Sequence, residues 1–279
     1  MEVPQGALFY IHLLPMVEYI GYACALVIGL VMGLSGAGGA ILTVPVLVYV
    51  FAMNPVTATA YSLFIVGTTS AFGTIQNLKK DLVSVKTALK FALPSLIGVF
   101  TARKFIIPAI PDILYHNGDF LIKKSTALMI LFAFIMCFAA IAMLKGSRDG
   151  SKKAREQSGI MLIIKMILAG TVVGLVGAGG GFLFVPILVH VAKLPIKKAA
   201  ATSLLIIAIN SLVGFTGDIG NIHIDLLFLT LFTALAIAGI FTGIYLNRFV
   251  NEKQLKTGFG WFVLLMAAFI FSKEIIFMP

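Results

Sequence analysis

GLVMGLSGAGGAILTVPVLV, residues 29–48, recurs 141 residues later as GTVVGLVGAGGGFLFVPILV, residues 170–189. Aligned without a gap, the two 20-residue windows agree at 13 positions, which is more than shared hydrophobicity supplies. The sequence therefore predicts a duplication. Each copy places a cluster of glycines inside a long apolar run, where a membrane transport protein often breaks a helix to make a binding site.

The composition is that of a polytopic membrane protein. Hydrophobic residues make up 60% of the 279 positions and charged residues 11%, against roughly a quarter charged in a soluble domain. Apolar stretches such as 121–144 and 223–247 can each cross a hydrocarbon core of about 30 Å as a helix. The net charge of +10 lies in short connections, which favours contact with lipid headgroups over nucleic acid. We expect an all-α bundle in a bilayer.

The order of apolar stretches predicts two similar sets of elements. They are placed at 17–35, 40–52, 55–76, 84–107 and 121–144, and again at 159–176, 181–192, 196–216, 223–247 and 256–277. The stretch after each glycine cluster is short, because 40–52 as a helix measures roughly 20 Å. The first two stretches of each set are therefore predicted to form a V-shaped hairpin that turns near mid-depth. The prediction is two four-segment repeats, 1–144 and 159–279, each beginning with a glycine-broken hairpin and joined by a basic cytoplasmic linker, 145–158.

The number of crossings predicts that the second repeat is inverted. Each repeat has three full crossings besides its hairpin, and an odd number turns the next repeat upside down. With both termini outside, the inner connections hold 16 of the 21 Lys and Arg residues, as the positive-inside rule requires. The outer side holds Arg103, Lys104, Lys123, Lys124 and Lys273. Two complete crossings in place of each hairpin would give the same parity.

The glycine clusters predict an anion site made from backbone. Glycine lets a ligand approach the peptide groups, and the following helix points its partially positive end at the turn. Such backbone is tolerated at membrane depth where it lines a cavity. We expect the two turns to meet near the midplane and to bind substrate with Gly36, Gly38, Gly39, Gly177, Gly179 and Gly180. The alternative is a tight helix crossing, since Gly29/Gly33 and Gly170/Gly174 have GxxxG spacing.

Polar residues at matched positions are the candidates for side-chain ligands. The stretch 58–73 aligns with 199–214, which matches Ser62 with Ser203. The substrate-binding candidates are Thr59, Ser62, Thr69, Thr202, Ser203 and Asn210, and Gln76, Asn77 and Asp218 are further candidates for lining a pathway. The alternative for any single Ser or Thr is helix packing.

Several chemistries are not supported by the sequence. No Asp or Glu is expected deep in a span, since Asp218 is predicted to lie in a connection, so a carboxylate proton relay is not indicated. Cys24 and Cys137 lie in apolar runs and suit packing. No histidine spacing suits a metal, and we expect neither a catalytic group nor a cofactor. Arg103 and Lys104 end a span on the outer side, where they would snorkel or form an exit vestibule for anions.

At these motifs the sequence resembles the TauE/SafE family of membrane transporters, the sulfite and organosulfonate exporters. The resemblance rests on GLSGAGGAILTVP (33–45) and GLVGAGGGFLFVP (174–186), each followed by an A-x-A-x-S-L segment. It implies eight membrane segments, a small anionic substrate that often carries sulfur, and a multi-pass location in a bacterial-type inner membrane. The halves differ where Ala40 stands in place of Gly181.

The sequence thus predicts a secondary transporter that exports sulfite or an organosulfonate by alternating access around a midplane site. An anion channel on the same scaffold is the alternative. A membrane-embedded enzyme would need a cluster of acids, histidines or cysteines within the bilayer, which the spans do not offer. The expected partners are the small anion and the lipid bilayer, and a homo-oligomer is left open.

Overall fold

The computed structural model describes residues 5–36, 38–117, 120–144, 159–250 and 252–276, which are mostly helical. The predicted basic linker, 145–158, lies outside the described residues. Within these described ranges, six helices are long and apolar enough to cross a membrane, over Glu18–Ser35, Val85–Ala109, Lys124–Ile141, Ile196–Asp218, Leu226–Leu246 and Thr257–Ile276. The prediction of a helical, polytopic membrane protein is confirmed at this level.

The first half contains six α-helices and a β-hairpin. Its elements are α1 (Gln5–Ser35), a 3₁₀ helix (Gly38–Leu42), α2 (Thr43–Tyr49), α3 (Pro55–Leu78), α4 (Val85–Thr101), a π-helical turn (Ala102–Ile106), α5 (Ile107–Ala109), β1 (Ile113–Asn117), β2 (Phe120–Lys123) and α6 (Lys124–Leu144). Helix α1 begins at Gln5 instead of residue 17. The chain from α4 through the π turn to α5 is continuously helical, so that crossing extends to Ala109.

The second half is wholly helical in the residues described. Its elements are α7 (Gly159–Val176), α8 (Gly181–His190), α9 (Ile196–Asp218), α10 (Leu226–Leu246) and α11 (Glu252–Ile276). Asp225 caps α10 by accepting the Phe228 N–H, as an N-cap residue does. All five elements fall within a few residues of the predicted positions.

The β-hairpin of the first half departs from the predicted all-α fold. Antiparallel strands β1 and β2 pair Ile113 with Lys123 and Tyr115 with Ile122, around a bulge. These β-branched and aromatic residues suit a pleated surface, whereas the sequence prediction treated this stretch as a connection. The Lys124 ammonium, 3.3 Å from Asp112 Oδ1 and 3.1 Å from the Ile110 carbonyl oxygen, ties the hairpin to the start of α6.

Helices α3 and α9 form the centre of the bundle and run antiparallel. Gly67 lies against Leu212, and Gly73 lies against Leu204, so rising numbers in α3 meet falling numbers in α9. Within the apolar window of α9, 67% of residues are buried, against 28% to 44% in the corresponding windows of the other five candidate spans. Polar residues give α3 a lower hydropathy than those spans, although its 24 residues are enough to cross.

Two parallel pairs, α1 with α10 and α4 with α7, flank this centre. A Cβ added to Gly29 would lie 1.9 Å from the Ala236 carbonyl oxygen, and one added to Gly170 would lie 1.9 Å from that of Ser95. Small residues permit such close approach of membrane helices. The four glycines with GxxxG spacing therefore serve helix crossings, which was the alternative considered for the glycine clusters. Helix α6 packs against α11 outside these pairs.

The first glycine turn reverses the chain. After α2, the ring of Phe51 returns to Gly21 and stands 5.8 Å from the ring of Tyr22, both on α1. Helix α1, the turn and α2 thus form a hairpin, and the 3₁₀ helix packs against α8 of the second half. The 3₁₀ helix that follows the first glycine turn is therefore in contact with the helix that follows the second.

Two hydroxyl groups connect the halves near the starts of α10 and α4. The Tyr61 hydroxyl accepts the Asp225 N–H at 2.6 Å and donates to the His223 carbonyl oxygen. The Thr202 hydroxyl accepts the Ser84 N–H at 3.0 Å. Each bond joins a central helix of one half to the residue that precedes a crossing helix of the other.

Candidate functional site

The second glycine turn places three glycines in left-handed backbone conformations. Gly177, Gly179 and Gly180 have φ values of +71°, +66° and +76°, which side chains other than glycine rarely adopt. In the described part of the first turn, which leaves out residue 37, only Gly36 has such a value, +84°. Gly38 and Gly39 there belong to the 3₁₀ helix, and Gly38 N–H donates to Ser35 Oγ at 3.1 Å. The two turns therefore differ in shape.

Each turn contacts the start of one central helix, and the second turn also reaches the middles of both. A Cβ on Gly177 would meet Thr59, the fifth residue of α3, and one on Gly36 would meet Ala200, the fifth residue of α9. Gly179 instead faces Val66 and Ile207, at the middles of α3 and α9. Helix α8 begins immediately afterwards. How deep either turn lies in a bilayer stays a prediction.

Around the second turn, the backbone hydrogen bonds of the described residues involve the two ends of the turn. Gly177 N–H donates to the Val173 carbonyl oxygen, while Leu183 N–H and Phe184 N–H donate to that of Gly180. None of these bonds uses the N–H groups of Ala178, Gly179 or Gly180. With the positive end of the α8 dipole, this is the arrangement that suits an anion.

Buried polar atoms without a partner follow the two central helices. Buried polar groups are almost always hydrogen-bonded, so each exception calls for an explanation. Among the described residues, the exceptions on α3 and α9, apart from Asp218 at the end of α9, are the hydroxyls of Ser62, Thr69, Ser70 and Ser211, the Gln76 Oε1 atom and the Asn210 Oδ1 atom. Ser211 Oγ lies 3.5 Å from where a Gly179 Cβ would be. The three predicted ligands Ser62, Thr69 and Asn210 belong to this group.

Asn210 is held in place by a second buried residue. Its Nδ2 donates to Ser95 Oγ at 2.7 Å, and Ser95 Oγ donates in turn to the carbonyl oxygens of Phe91 and Ala92. Its Oδ1 has no partner. Because Thr69 lies 141 positions earlier, the two residues occupy the same place in the two copies of the repeat.

The other predicted side-chain ligands already have backbone partners. Thr202 accepts the Ser84 N–H, and Ser203 Oγ donates to the Ala200 carbonyl oxygen at 2.8 Å. Thr59 Oγ1 donates to the Val56 carbonyl oxygen at 2.9 Å. All twelve predicted binding residues are buried, but these three hydroxyls are engaged at the ends of α3 and α9.

The largest fully buried side chain near the turn is Arg103, which the sequence placed at a membrane surface. Its exposure is 0%, so it neither snorkels nor lines an open vestibule. Its Nη1 donates to Thr59 Oγ1 at 3.1 Å and lies 3.5 Å from Asp218 Oδ2. Lys104 is exposed. Arg103 belongs inside because α4 continues through the π-helical turn, and π turns frequently occur at functional sites.

Asp218 is likewise inside the bundle, as the last residue of α9. It was predicted to lie in a connection, although it was also a candidate for lining a pathway. A comparison of the two copies could have singled out both charges. At the 141-residue offset Arg103 matches Ile244, and Asp218 matches Asn77, so opposite charges replace uncharged residues in the two copies.

The described residues contain no group of three or more His, Cys, Asp or Glu side chains that could hold a metal ion. Cys24 and Cys137 are half-buried free thiols. The polar groups of the site are therefore hydroxyls, amides, backbone N–H groups and the Arg103 and Asp218 charges.

Membrane-length helices enclosing glycine-broken hairpins and buried polar groups define a polytopic membrane transport protein. The chain belongs to the TauE/SafE family, described as sulfite exporters, which it matches over residues 21–270.

Related proteins cover nearly the whole chain. A probable membrane transporter protein of Xylella fastidiosa strain 9a5c is 27% identical over 253 residues, 87% of this chain and 90% of its own length. Proteins with the same description in Methanocaldococcus jannaschii and Bacillus subtilis strain 168 are each 25% identical, over 88% and 85% of this chain and 91% and 92% of their own lengths. No solved structure matches the chain. It is therefore a membrane transporter of this family.

Proposed function

We propose that this chain is a secondary transporter that exports a small oxyanion, sulfite or an organosulfonate, by alternating access. The observation that carries the proposal is the position of Gly179, between the middles of α3 and α9 and beside the unpartnered Ser211 hydroxyl. The turn supplies backbone N–H groups, and Ser62, Thr69 and Asn210 supply side-chain hydrogen bonds. The family description, which names sulfite, supports a sulfur oxyanion.

The two halves, 1–144 and 159–279 joined by the linker 145–158, form an inverted repeat in this proposal. Close contacts recur with both residues shifted by 141. Gly29 meets Ala236 as Gly170 meets Ser95, and Gly239 meets Leu26 as Gly98 meets Ile167. The Tyr61–Asp225 and Thr202–Ser84 hydrogen bonds are related in the same way. Parallel packing of α1 with α10 and of α4 with α7 agrees with a repeat that enters from the opposite face.

An inverted repeat gives a simple route to alternating access. The halves can exchange conformations, so that the site opens to one side and then to the other. The unpartnered hydroxyls of Ser62, Thr69 and Ser211 belong to fully buried residues, and this favours a closed site over an open pore. The same groups argue for transport instead of an enzymatic reaction, because none is a nucleophile paired with a base.

We assign the basic end of the bundle to the cytoplasm. Lys79 and Lys80 follow α3, and Lys193, Lys197 and Lys198 lie just before α9 or in its first turn. All five are exposed, and antiparallel α3 and α9 bring them to one end. By the positive-inside rule we place both termini outside, and we propose an inner membrane as the location. An interior-negative potential would then favour anion efflux by about 2.3 kcal/mol per charge per 100 mV.

Flux measurements test this function directly. The purified chain in proteoliposomes is expected to show saturable efflux of radiolabelled sulfite, sulfoacetate or taurine. Failure to move any of the three would remove the sulfur assignment. Flux that never saturates, or single-channel currents, would favour the anion channel.

Substitution of the turn glycine tests the site. Gly179→Ala should abolish flux, because its Cβ would lie 2.5 Å from Val66 Cγ1 and its φ would be strained. Gly220→Ala is the matched control, since Gly220 has φ +92° and nothing within 4 Å of an added Cβ. Combining Gly179→Ala with Val66→Ala should restore part of the flux by removing the clash. Normal flux in folded Gly179→Ala protein would contradict the proposed site.

A further inference from the structure

We propose that Arg103 forms an oxyanion subsite beside the second glycine turn, with Asp218 as the counter-charge that holds its guanidinium when no anion is bound. This inference rests on the proposed transport of an oxyanion and adds to it a residue that selects the substrate. The ligand would be an anion with two equivalent oxygens, such as a sulfonate, sulfite or carboxylate group.

The free part of the guanidinium has the geometry for such a ligand. Nη1 contacts Thr59 and Asp218, whereas Nε and Nη2 have no partner among the described residues. These two nitrogens form one edge of the planar group, and their parallel N–H bonds match two oxygens of one oxyanion. Arg103 thus has one occupied end and one unoccupied bidentate edge.

Because Gly177 has no side chain, the guanidinium edge can lie close to the glycine turn. Arg103 Nη2 lies 2.7 Å from where a Cβ on Gly177 would be. Any side chain at this position would therefore collide with the guanidinium. The charged edge and the turn that carries Gly179 are consequently neighbours, so an anion leaving the turn can meet Arg103 next.

The ion pair is too loose to be explained by stability. Asp218 Oδ2 is 3.5 Å from Arg103 Nη1 and has no hydrogen-bond partner. Desolvating two charges is repaid only by close, well-hydrogen-bonded geometry. Charges inside membrane segments are rare and usually functional. Because the Asp218 carboxylate contacts Nη1 only weakly, the positive charge of Arg103 is left largely available to an oxyanion at the Nε and Nη2 edge.

The other half of the chain builds the same arrangement without charges. At the 141-residue offset, Gly177 and Thr59 correspond to Gly36 and Ala200, which are in the same close contact. Arg103 and Asp218 correspond to Ile244 and Asn77, both buried. Packing at this place in the repeat therefore requires neither charge.

This correspondence supplies a variant that should fold. Arg103→Ile combined with Asp218→Asn introduces the residues that the chain itself uses at the equivalent positions. Uptake into proteoliposomes would be measured for sulfite, sulfoacetate and chloride, with thermal unfolding in detergent as the folding control. We expect the double variant to unfold near the wild-type temperature, with a KM for the oxyanions raised at least about tenfold, since a bidentate charge-assisted contact is lost.

Two single variants separate charge from geometry. Arg103→Lys keeps the charge but not the bidentate edge, so it should lose preference for oxyanions over chloride. Asp218→Asn removes the competing carboxylate and should lower the KM for oxyanions.

These measurements test the Arg103 subsite separately from the oxyanion transport on which it rests. Wild-type protein that moves no oxyanion would overturn both. A second outcome is that the wild type transports oxyanions and the folded double variant does so with unchanged KM and selectivity. This result would overturn the Arg103 subsite alone and would show that the Arg103–Asp218 pair is structural. If the double variant does not fold, the Arg103→Lys variant takes its place in the test. An unchanged preference of that variant for oxyanions over chloride would also overturn the Arg103 subsite.

Discussion

Single residues in the centre of the bundle divide into those with partners and those without. Hydrogen bonds to backbone groups engage the hydroxyls of Thr202, Ser203 and Thr59. Polar atoms without a partner remain on Ser62, Thr69 and Asn210. An unpaired polar atom in a buried site costs stability. Within the described residues these atoms concentrate along α3 and α9, where a hydrogen-bonding substrate would repay that cost.

Asn210 and Ser95 provide a matched pair at this scale. Asn210→Ala should raise the KM for the transported oxyanion about ten- to hundredfold, since a hydrogen bond to a charged group contributes about 1.5–3 kcal/mol. Ser95→Ala removes only the group that accepts from the amide. It should lower the free energy of unfolding by about 1 kcal/mol and change KM much less. Equal KM values in Asn210→Ala and wild type would assign Asn210 to packing.

The position of a polar or charged residue within its apolar run decided whether the sequence predicted it as a site residue. Repeated Ser, Thr and Asn positions within apolar runs pointed to the central helices, because polar groups stand out there. Arg103 was missed because charge near a predicted span end is ordinarily interfacial. Only its helix, extended by the π turn to Ala109, and the three-dimensional pairing with Asp218 bring it inside.

At the scale of elements, the apolar stretches of the sequence predicted the positions of the helices well but predicted less of the irregular backbone. The two short helices, α2 and α8, follow the glycine clusters as predicted. The β-hairpin was not predicted, since its nine residues are neither a membrane-length run nor clearly separated from the crossing that precedes them. The differing shapes of the two glycine turns were also beyond the sequence, because nearly identical motifs adopt left-handed and 3₁₀ backbone.

The parallel helix pairs give a stability prediction. Gly170→Ala should lower the free energy of unfolding by about 1–3 kcal/mol, as overpacking does, since its Cβ would lie 1.9 Å from the Ser95 carbonyl oxygen. Gly258→Ala in α11, where an added Cβ meets nothing within 4 Å, is the control. It should leave stability unchanged or raise it by up to about 1 kcal/mol. Thermal unfolding in detergent measures both, and equal stabilities would contradict close packing of α4 and α7.

At the scale of the whole molecule, the orientation in the membrane follows from where the charges gather. Lys80 and Asn221 are exposed residues at opposite ends of the antiparallel central pair. With Cys24 and Cys137 replaced by Ala, Asn221→Cys should react with a membrane-impermeant maleimide in intact cells. Lys80→Cys should react only after permeabilisation. The reverse pattern would overturn the proposed orientation, and the direction of export with it.

The parallel packing of α1 with α10 also constrains how the chain is made. Leu226, where α10 begins, lies 191 positions after Ser35, where α1 ends. At about 5–20 residues synthesised per second, α1 waits on the order of 10 to 40 s for its partner. During that interval Gly29 and Gly33 face lipid or the insertion machinery instead of α10. The first half therefore cannot complete its packing until most of the second half has been synthesised, and assembly of the bundle is a late event in biogenesis.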